Sequence, residues 1–306
     1  MNQPKDFIIL KMKYIVLIAL FAIAFAEIHP VNDEIVKTIK ETATWTPMEP
    51  EENPFAYMSV EQIKGMMGTK LRVYEDNAAE VTADIPAEFD SRTAWPGKVH
   101  NIRDQGACGS CWAFGATEAL SDRFFIENGV DVVLSPQHLV SCDRSNYGCN
   151  GGYLDKAWDF MQTTGVVLDS CMPYTSGTTG QDGECYTHCT SETDDEFRKY
   201  NSERATMTRD VATTQQAIMT EGPVEAAFTV YQDFMSYKSG VYKHTTGSML
   251  GGHAIKALGW GEEDGTKYWI MANSWGTGWG EDGFFKIAMG DCGINNQMTF
   301  ALAHKD

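Results

Sequence analysis

Gln105-Gly106-Ala107-Cys108-Gly109-Ser110-Cys111-Trp112-Ala113-Phe114 sets a thiol where a glycine-rich approach turns into a helix. From Cys111 through Asn128 the apolar residues recur at helical spacing, and Gly129 supplies a left-handed stop. A thiol on the first turn feels the positive end of the helix dipole, which favours the nucleophilic thiolate. Working outward, Ser135-Pro136 gives an N-cap with proline at the first helical position, opening a second helix toward Cys142. Residues 154–162, closed near Gly165, form a third. After about residue 221 the pattern changes, and residues 223–230 and 267–272 read as strands among glycine-rich turns. A helical lobe followed by a β lobe predicts an α+β protein with a cleft between the two.

Charge and cysteine usage narrow the class. The 306 residues carry 42 Asp+Glu against 24 Lys+Arg, a formal charge of -18, which excludes nucleic acid and acidic membrane faces as partners. An acidic compartment suits such a chain, because protonation relieves self-repulsion. The apolar run Tyr14 to Ala26 is 13 residues, short of the roughly 20 that a membrane span needs. With Lys11 and Lys13 before it and Ala24-Phe25-Ala26 closing it, it reads as a secretory signal peptide over residues 1–26, with Met1 or Met12 as initiator. Its bland alternative is a short buried helix. Export makes disulfides the expected use of eight cysteines, all of which lie at or after position 108. No N-x-Ser/Thr sequon occurs.

That cysteine asymmetry separates a leading segment, residues 27–84, from a mature unit, residues 85–306. The leading segment is acidic and punctuated by Pro47, Pro50 and Pro54, with one short helix expected over Ser59 to Gly68, capped by serine and ended by glycine. The mature unit divides into a mainly helical part, about 85–220, and a mainly β part, about 221–306.

Attack by a thiolate on a carbonyl needs a base, something to hold that base, and donors for the oxyanion. Gly251-Gly252-His253-Ala254, with its imidazole 142 residues beyond Cys111, offers the base; Asn273-Ser274-Trp275-Gly276 offers an amide to orient it. Each residue alone has an ordinary explanation: a cysteine at a helix start is commonly half of a disulfide, Asn273 could cap a turn, and Trp275 could fill the core. Their joint occurrence in these contexts points to catalysis.

Asp104-Gln105-Gly106, Cys108 to Phe114, Cys149-Asn150-Gly151-Gly152-Tyr153, Gly222-Pro223-Val224-Glu225, Gly251 to Ile255 and Asn273 to Trp275 follow one another in order. In this the chain resembles the papain family of cysteine proteases, and within it the cathepsin B group, of the protozoan type with a shortened occluding loop. The resemblance runs from the leading segment to Phe300. It implies a two-lobed fold with an N-terminal helical lobe and a C-terminal antiparallel, β-barrel-like lobe. Across the cleft, Cys111 and His253 would form a thiolate-imidazolium pair, with Asn273 fixing His253, Trp275 shielding that hydrogen bond, and Gln105 with the Cys111 N–H receiving the oxyanion.

The same resemblance implies that Gly151 and Gly152 admit a substrate backbone. It also implies that Tyr153, Leu154, Ala227 and Ala254 line the pocket for the second residue before the scissile bond, with Gln297 on its floor. A neutral amide there predicts apolar preference and poor acceptance of arginine. Disulfides are implied between Cys108 and Cys149, Cys142 and Cys185, and Cys171 and Cys189, leaving Cys111 and Cys292. Between Tyr174 and Cys185 the chain has only a short glycine- and threonine-rich stretch without His or Cys, so the carboxylate anchor of an occluding loop is missing and endopeptidase action is expected. The leading segment, with Trp45 and Met66-Met67-Gly68-Thr69 at matching places, would be an inhibitory pro-segment running backward through the cleft, cut before Ile85 and loosened by acid. Protein and peptide substrates, cystatin-like inhibitors, a monomeric state, and a lysosome-like or endocytic vesicle or secretion complete what is implied. No cofactor and no metal are called for.

Three other readings compete. Cys108-Gly109-Ser110-Cys111 matches a thiol-disulfide exchange motif, which would pair those two cysteines and leave His253 idle. Cys185, His188 and Cys189 could be offered as a zinc site, although three ligands so close together fit tetrahedral geometry poorly. A catalytically inactive binding protein on the same fold would not require Cys111, His253 and Asn273 together.

Overall fold

The computed structural model describes residues 28–192 and 196–305; the expected signal peptide lies outside the described residues. The leading segment folds against the body. Helix α1 (Asp33–Thr42) is opened by Asn32, whose side chain accepts from Ile35 N–H, and buries Ile35, Val36 and Ile39. Helix α2 (Val60–Met66) has a full capping box between Ser59 and Gln62 and buries Ile63 and Met66. Between them, β1 (Thr46–Pro47) pairs antiparallel with β5 (Tyr237–Ser239). Trp45 is buried with ring centroids 6.0 Å from Tyr237 and 5.2 Å from Tyr242, and donates its indole N–H to Lys243 O at 2.9 Å. Burying a side chain of that size contributes about 2–3 kcal/mol.

Helix α3 (Cys111–Asn128) is the central strut. Every residue from Cys111 to Phe124 is buried, so the helix has no solvent face over that length, and it ends where Gly129 takes φ 70°. Around it pack α4 (Pro136–Cys142), capped by the Ser135 hydroxyl on His138 N–H, and α5 (Leu154–Thr163), which buries Leu154, Ala157, Trp158 and Met161. Trp112, Leu120, Leu134 and Trp158 are at the centre of this helical core.

The second layer is one sheet. In the order β3 (Thr206–Thr208), β10 (Met298–Phe300), β4 (Val224–Tyr231), β7 (Met249–Glu263), β8 (Thr266–Ala272), β9 (Phe284–Ala288) and β6 (Val241–Tyr242), neighbours are hydrogen-bonded, and β2 (Phe89–Asp90) adds to β7. All pairs are antiparallel except β6 with β9. The sheet is therefore open and mixed, not a closed barrel. Helix α6 (Val211–Glu221), capped by Asp210, packs Ala217 and Ile218 into the core of this sheet.

The lobes are buckled together at both ends. β2 and β3, from the helical half of the sequence, join the sheet, while Ala301 and Ala303, just past β10, are buried in the helical core. Arg123 on α3 is wholly buried and donates to Pro223 O, Gly222 O and Ala301 O, with Glu221 as counter-ion at 3.1 Å. Lys256 on β7 pairs with Asp122 on α3 at 2.7 Å, both buried. Removing either partner would strand a buried charge, costing about 3–5 kcal/mol.

Candidate active site

Where α3 meets the sheet, Cys111 sits at the first helical position with its thiol packed on Leu154, Ala227 and Ala254. Ala227 and Ala254 are register partners on β4 and β7, and the next rung pairs Phe228 with His253. The residue before the one touching the sulfur is thus the imidazole. His253 Nε2 lies 2.7 Å from Asn273 Oδ1, and the same oxygen accepts the Ser274 backbone N–H at 2.8 Å. That second bond identifies the amide oxygen, so Nε2 donates and Nδ1 carries the free lone pair. Nδ1 is buried without a hydrogen-bond partner, as is Asn273 Nδ2. The Trp275 ring stacks on the imidazole at 4.7 Å, itself covered edge-on by Phe55 of the leading segment at 5.3 Å.

Gln105 is buried, and its amide is held at both ends. Its Oε1 accepts from the Ser274 hydroxyl at 2.8 Å, and its Nε2 donates to Cys108 O at 3.0 Å and Met66 O at 2.9 Å. Met66 belongs to the leading segment, so a carbonyl of this chain already occupies the donor expected for an oxyanion. Tyr174 fastens the loop from below, its hydroxyl within hydrogen-bond reach of both Gln105 O (2.8 Å) and Ser110 Oγ (2.7 Å).

The leading segment continues through the cleft. Gly152 N–H donates to Gly68 O, Lys70 N–H to Gly152 O, and Thr69 N–H to Gly252 O, at 2.8, 2.8 and 3.0 Å. The Thr69 hydroxyl is in hydrogen-bond contact with Cys111 Sγ at 3.1 Å. A Cβ on Gly151 would stand 2.2 Å from Gly68 O, so only glycine lets this backbone lie so close. Beyond, Ala227 and Gln297 line a cavity shared with Leu71, Arg72 and Cys292. Gln297 donates from Nε2 to Arg72 O at 2.6 Å, and its Oε1 is buried without a partner. Tyr153 is engaged differently, its ring beneath the Arg72 guanidinium at 4.6 Å.

Electrostatics in this filled cleft favour neutral groups. Burial pushes the Cys111 thiol up, against the opposing pull of the Thr69 hydroxyl and of the Ala254, Gly68 and Trp112 backbone. Burial likewise lowers His253 to about 4, with the Asn273 hydrogen bond opposing. While the segment is in place, sulfur and imidazole are thiol and neutral base.

Disulfides join Cys108 to Cys149, Cys142 to Cys185 and Cys171 to Cys189; Cys111 and Cys292 are free. Cys108 is thereby unavailable to Cys111, and Cys185 and Cys189 are unavailable to a metal. Cys292 donates to Asp291 Oδ1 at 3.0 Å, and burial beside Asp291 and Asp233 holds its thiol far above the ordinary range. Between Tyr174 and Cys185 the chain makes one short turn, residues 176–179, tied down through Gly177 O to Ala107 N–H and through Asp182 to Cys149 N–H, Gln137 and Ser141.

Sequence reasoning did not single out Ser274 as the support of Gln105, Phe55 as the cover of Trp275, or the Thr69 hydroxyl as the group on the sulfur. The serine was legible only as a neighbour of Asn273, and the other two come from a segment more than 40 residues upstream.

Comparisons with known proteins agree with this geometry. A family model described as papain family cysteine protease matches residues 85–302. The chain is 38% identical, over a 336-position alignment covering 94% of it and 98% of the relative, to cathepsin B-like cysteine proteinase 4 of Caenorhabditis elegans. It is 44% identical over 219 residues, 70% of it and 73% of the relative, to cathepsin B-like CP3 of Giardia intestinalis. Among solved structures it superposes on proCathepsin B S9 from Trypanosoma congolense with a TM-score of 0.83 at 28% identity, covering 91% of this chain and 100% of that one.

Proposed function

Because this chain belongs to the papain family of cysteine proteases, in its cathepsin B-like group, we propose that its peptidase activity runs through Cys111 as nucleophile, His253 as base and acid, Asn273 as anchor and Gln105 as oxyanion donor. The enzyme is a cysteine peptidase made as a zymogen. One observation carries the assignment of roles. The Asn273 hydrogen bond commits Nε2 and leaves Nδ1 free, on the strand whose next residue packs on the Cys111 thiol.

Once residues 66–72 leave the cleft, water reaches both groups and the burial penalty on their charged forms falls. The Cys111 proton passes to Nδ1, giving thiolate and imidazolium. Sulfur attacks the scissile carbonyl carbon, and its oxygen takes hydrogen bonds from Gln105 Nε2 and the Cys111 N–H, where Met66 O had stood. The tetrahedral adduct collapses as Nδ1–H protonates the leaving amine, and a water deprotonated by the same nitrogen hydrolyses the thioester.

The cavity bounded by Ala227 and Gln297 supports an apolar second residue before the scissile bond, because no carboxylate is present on its floor to pair with arginine. The short tied-down turn at residues 176–179, in place of a histidine-bearing loop, supports an open primed side and endopeptidase cleavage. We assign residues 1–26 to export, 27–84 to the inhibitor and 85–306 to the mature enzyme, which works as a monomer in an acidic vesicle or after secretion, with cystatin-like proteins competing for the vacated cleft.

Incubating the acid-activated protein with an epoxide that alkylates thiol-protease nucleophiles, then mapping the adduct, tests these roles. Modification at Cys111 with complete loss of peptidase activity is expected. Full turnover in Cys111→Ala, or an adduct at Cys292 instead, would overturn the assignment.

A further inference from the structure

We propose that Asp155, together with the ring of Tyr153, forms a cation-recognising subsite that selects arginine or lysine as the third residue before the scissile bond. This rests on the cleft and nucleophile assigned above and names part of its substrate.

The inhibitory segment supplies the observation. Counting away from the sulfur, Thr69 touches Cys111, Leu71 lines the cavity with Ala227 and Gln297, and Arg72 is the next residue outward, its carbonyl held by Gln297. The Arg72 guanidinium is ion-paired with Asp155, and its centre lies 4.6 Å from the Tyr153 ring and 4.9 Å from Tyr74. Tyr74 also donates to Asp155 Oδ1 at 2.9 Å. Carboxylate on one side and π faces on two others surround the planar cation, and of these the Asp155 carboxylate and the Tyr153 ring belong to the mature enzyme.

Asp155 has a simpler role available, since an acid in the first turn of α5 complements the helix dipole. That role needs no partner, yet the side chain is only 17% exposed because Arg72 lies over it. Departure of the pro-segment removes Arg72 and Tyr74 together and leaves the carboxylate at the edge of the cleft, beside the Tyr153 ring. The neighbouring cation, Lys156, lies 5.0 Å from the same ring but donates to Ser145 O at 2.8 Å. On the cleft assigned above, a substrate would run opposite to the pro-segment and its third side chain would face the wall that Arg72 now faces. Arg72 is a rehearsal of the substrate's third residue, and the chemistry sought is a basic residue followed by an apolar one.

The test uses mature enzyme, its active sites titrated by the epoxide, and peptides identical except at the third position, which carries arginine, its neutral isostere citrulline, or norleucine. An exposed ion pair plus one cation-π contact predicts kcat/KM about five- to tenfold higher for arginine than for citrulline at low salt, shrinking toward parity at 1 M salt. Asp155→Asn should bring the arginine-to-citrulline ratio close to one, and Asp155→Glu should keep it well above one. Equal rates for arginine and citrulline in the unaltered enzyme, or a ratio that ignores both salt and Asp155→Asn, would overturn the subsite while leaving the peptidase intact. Inactivity toward all three peptides would overturn the assigned cleft and the subsite with it.

Discussion

Gln105 shows how one side chain is made ready before any substrate arrives. Its amide is oriented by the Ser274 hydroxyl on one end and by two carbonyls on the other, one of them the inhibitor's Met66 O. No rotamer search remains once that carbonyl leaves. Gln105→Ala should therefore lower kcat by about 10²–10³-fold with a much smaller change in KM, since the bond matters when charge has developed on oxygen. Steady-state kinetics on a single peptide decides it, and a change confined to KM would count against the role. Cys111, His253, Asn273 and Gln105, the residues given roles in the proposal, stand out in the sequence because each is embedded in a distinctive local run. Thr69, Ser274 and Asp155 do not. Their chemistry arises from partners brought close only by folding, and the Asp155 to Arg72 pair joins residues 83 positions apart.

On the proposed reading, the element that governs activation is the extended strip from Met66 onward. Past Arg72 it is anchored by Asp76, which accepts from Thr208 Oγ1 at 2.9 Å and Arg209 N–H at 3.0 Å, and by Thr82 and Ala83, whose N–H groups reach Gln216. The Arg209 backbone N–H and then the Thr208 hydroxyl hold the Asp76 carboxyl below its ordinary 3.8. A lowered carboxylate pKa means that the anchor is complete above 3.8 and is lost only as pH falls through the lower, bound value. Asp76→Ala should thus speed pro-segment release at pH 5, where the anchor is still charged, and make progressively less difference toward pH 3. A gel time course of processing at the two pH values measures this, and equal acceleration at both would contradict it. Elements α3, α4 and α5 were expected within a residue or two of where they lie. Strand β7, which carries His253, was not: Gly251, Gly252, Gly259 and Gly261 break its pattern and look like turn punctuation. In the fold they are places of close approach, for a Cβ on Gly252 would meet Thr69 O at 2.2 Å and one on Gly259 would meet Phe89 O at 2.0 Å. A single sequence cannot show that another backbone will lie there.

Across the whole molecule, several buried acids titrate far from their usual range. Burial raises Glu118 and Glu127 to about 7 and raises Glu225, bonded to Trp158 Nε1 at 2.7 Å, well above 4.5. Asp122 raises His100 above 6.5. For the acids, raised pKa values mean that the folded chain holds protons the unfolded chain has released, so stability falls as pH rises past 4.5. For His100, the stabilising charge is fully present below 6.5 and is lost as pH climbs through its raised value. Between pH 4.5 and 6.5 the lowered pKa values of His138, about 3, and His253, about 4, oppose the acids. Above 6.5 these histidines no longer differ between states. The acids and His100 are then opposed only by Lys199, which burial lowers to about 8 and which begins to release its proton in the folded chain toward the top of the interval. The Tm should drop from pH 6.5 to pH 8, and Glu118→Gln should raise it at pH 8 by a few degrees while changing it little at pH 5; a flat profile over that interval would refute this. The α+β class and two-layer order were legible because helical and strand periodicities are segregated along the chain. The interleaving of the layers was not, because the segments that cross over, residues 89–90, 206–208 and 298–303, are too short to carry a pattern. That crossing has a consequence for biosynthesis. Residues 298–303 leave the ribosome after all the strands and helices they complete, so neither layer can finish folding until they emerge, whereas the leading segment is synthesised before any of the groups proposed to be catalytic. The order of manufacture alone ensures that the blade is sheathed before it is forged.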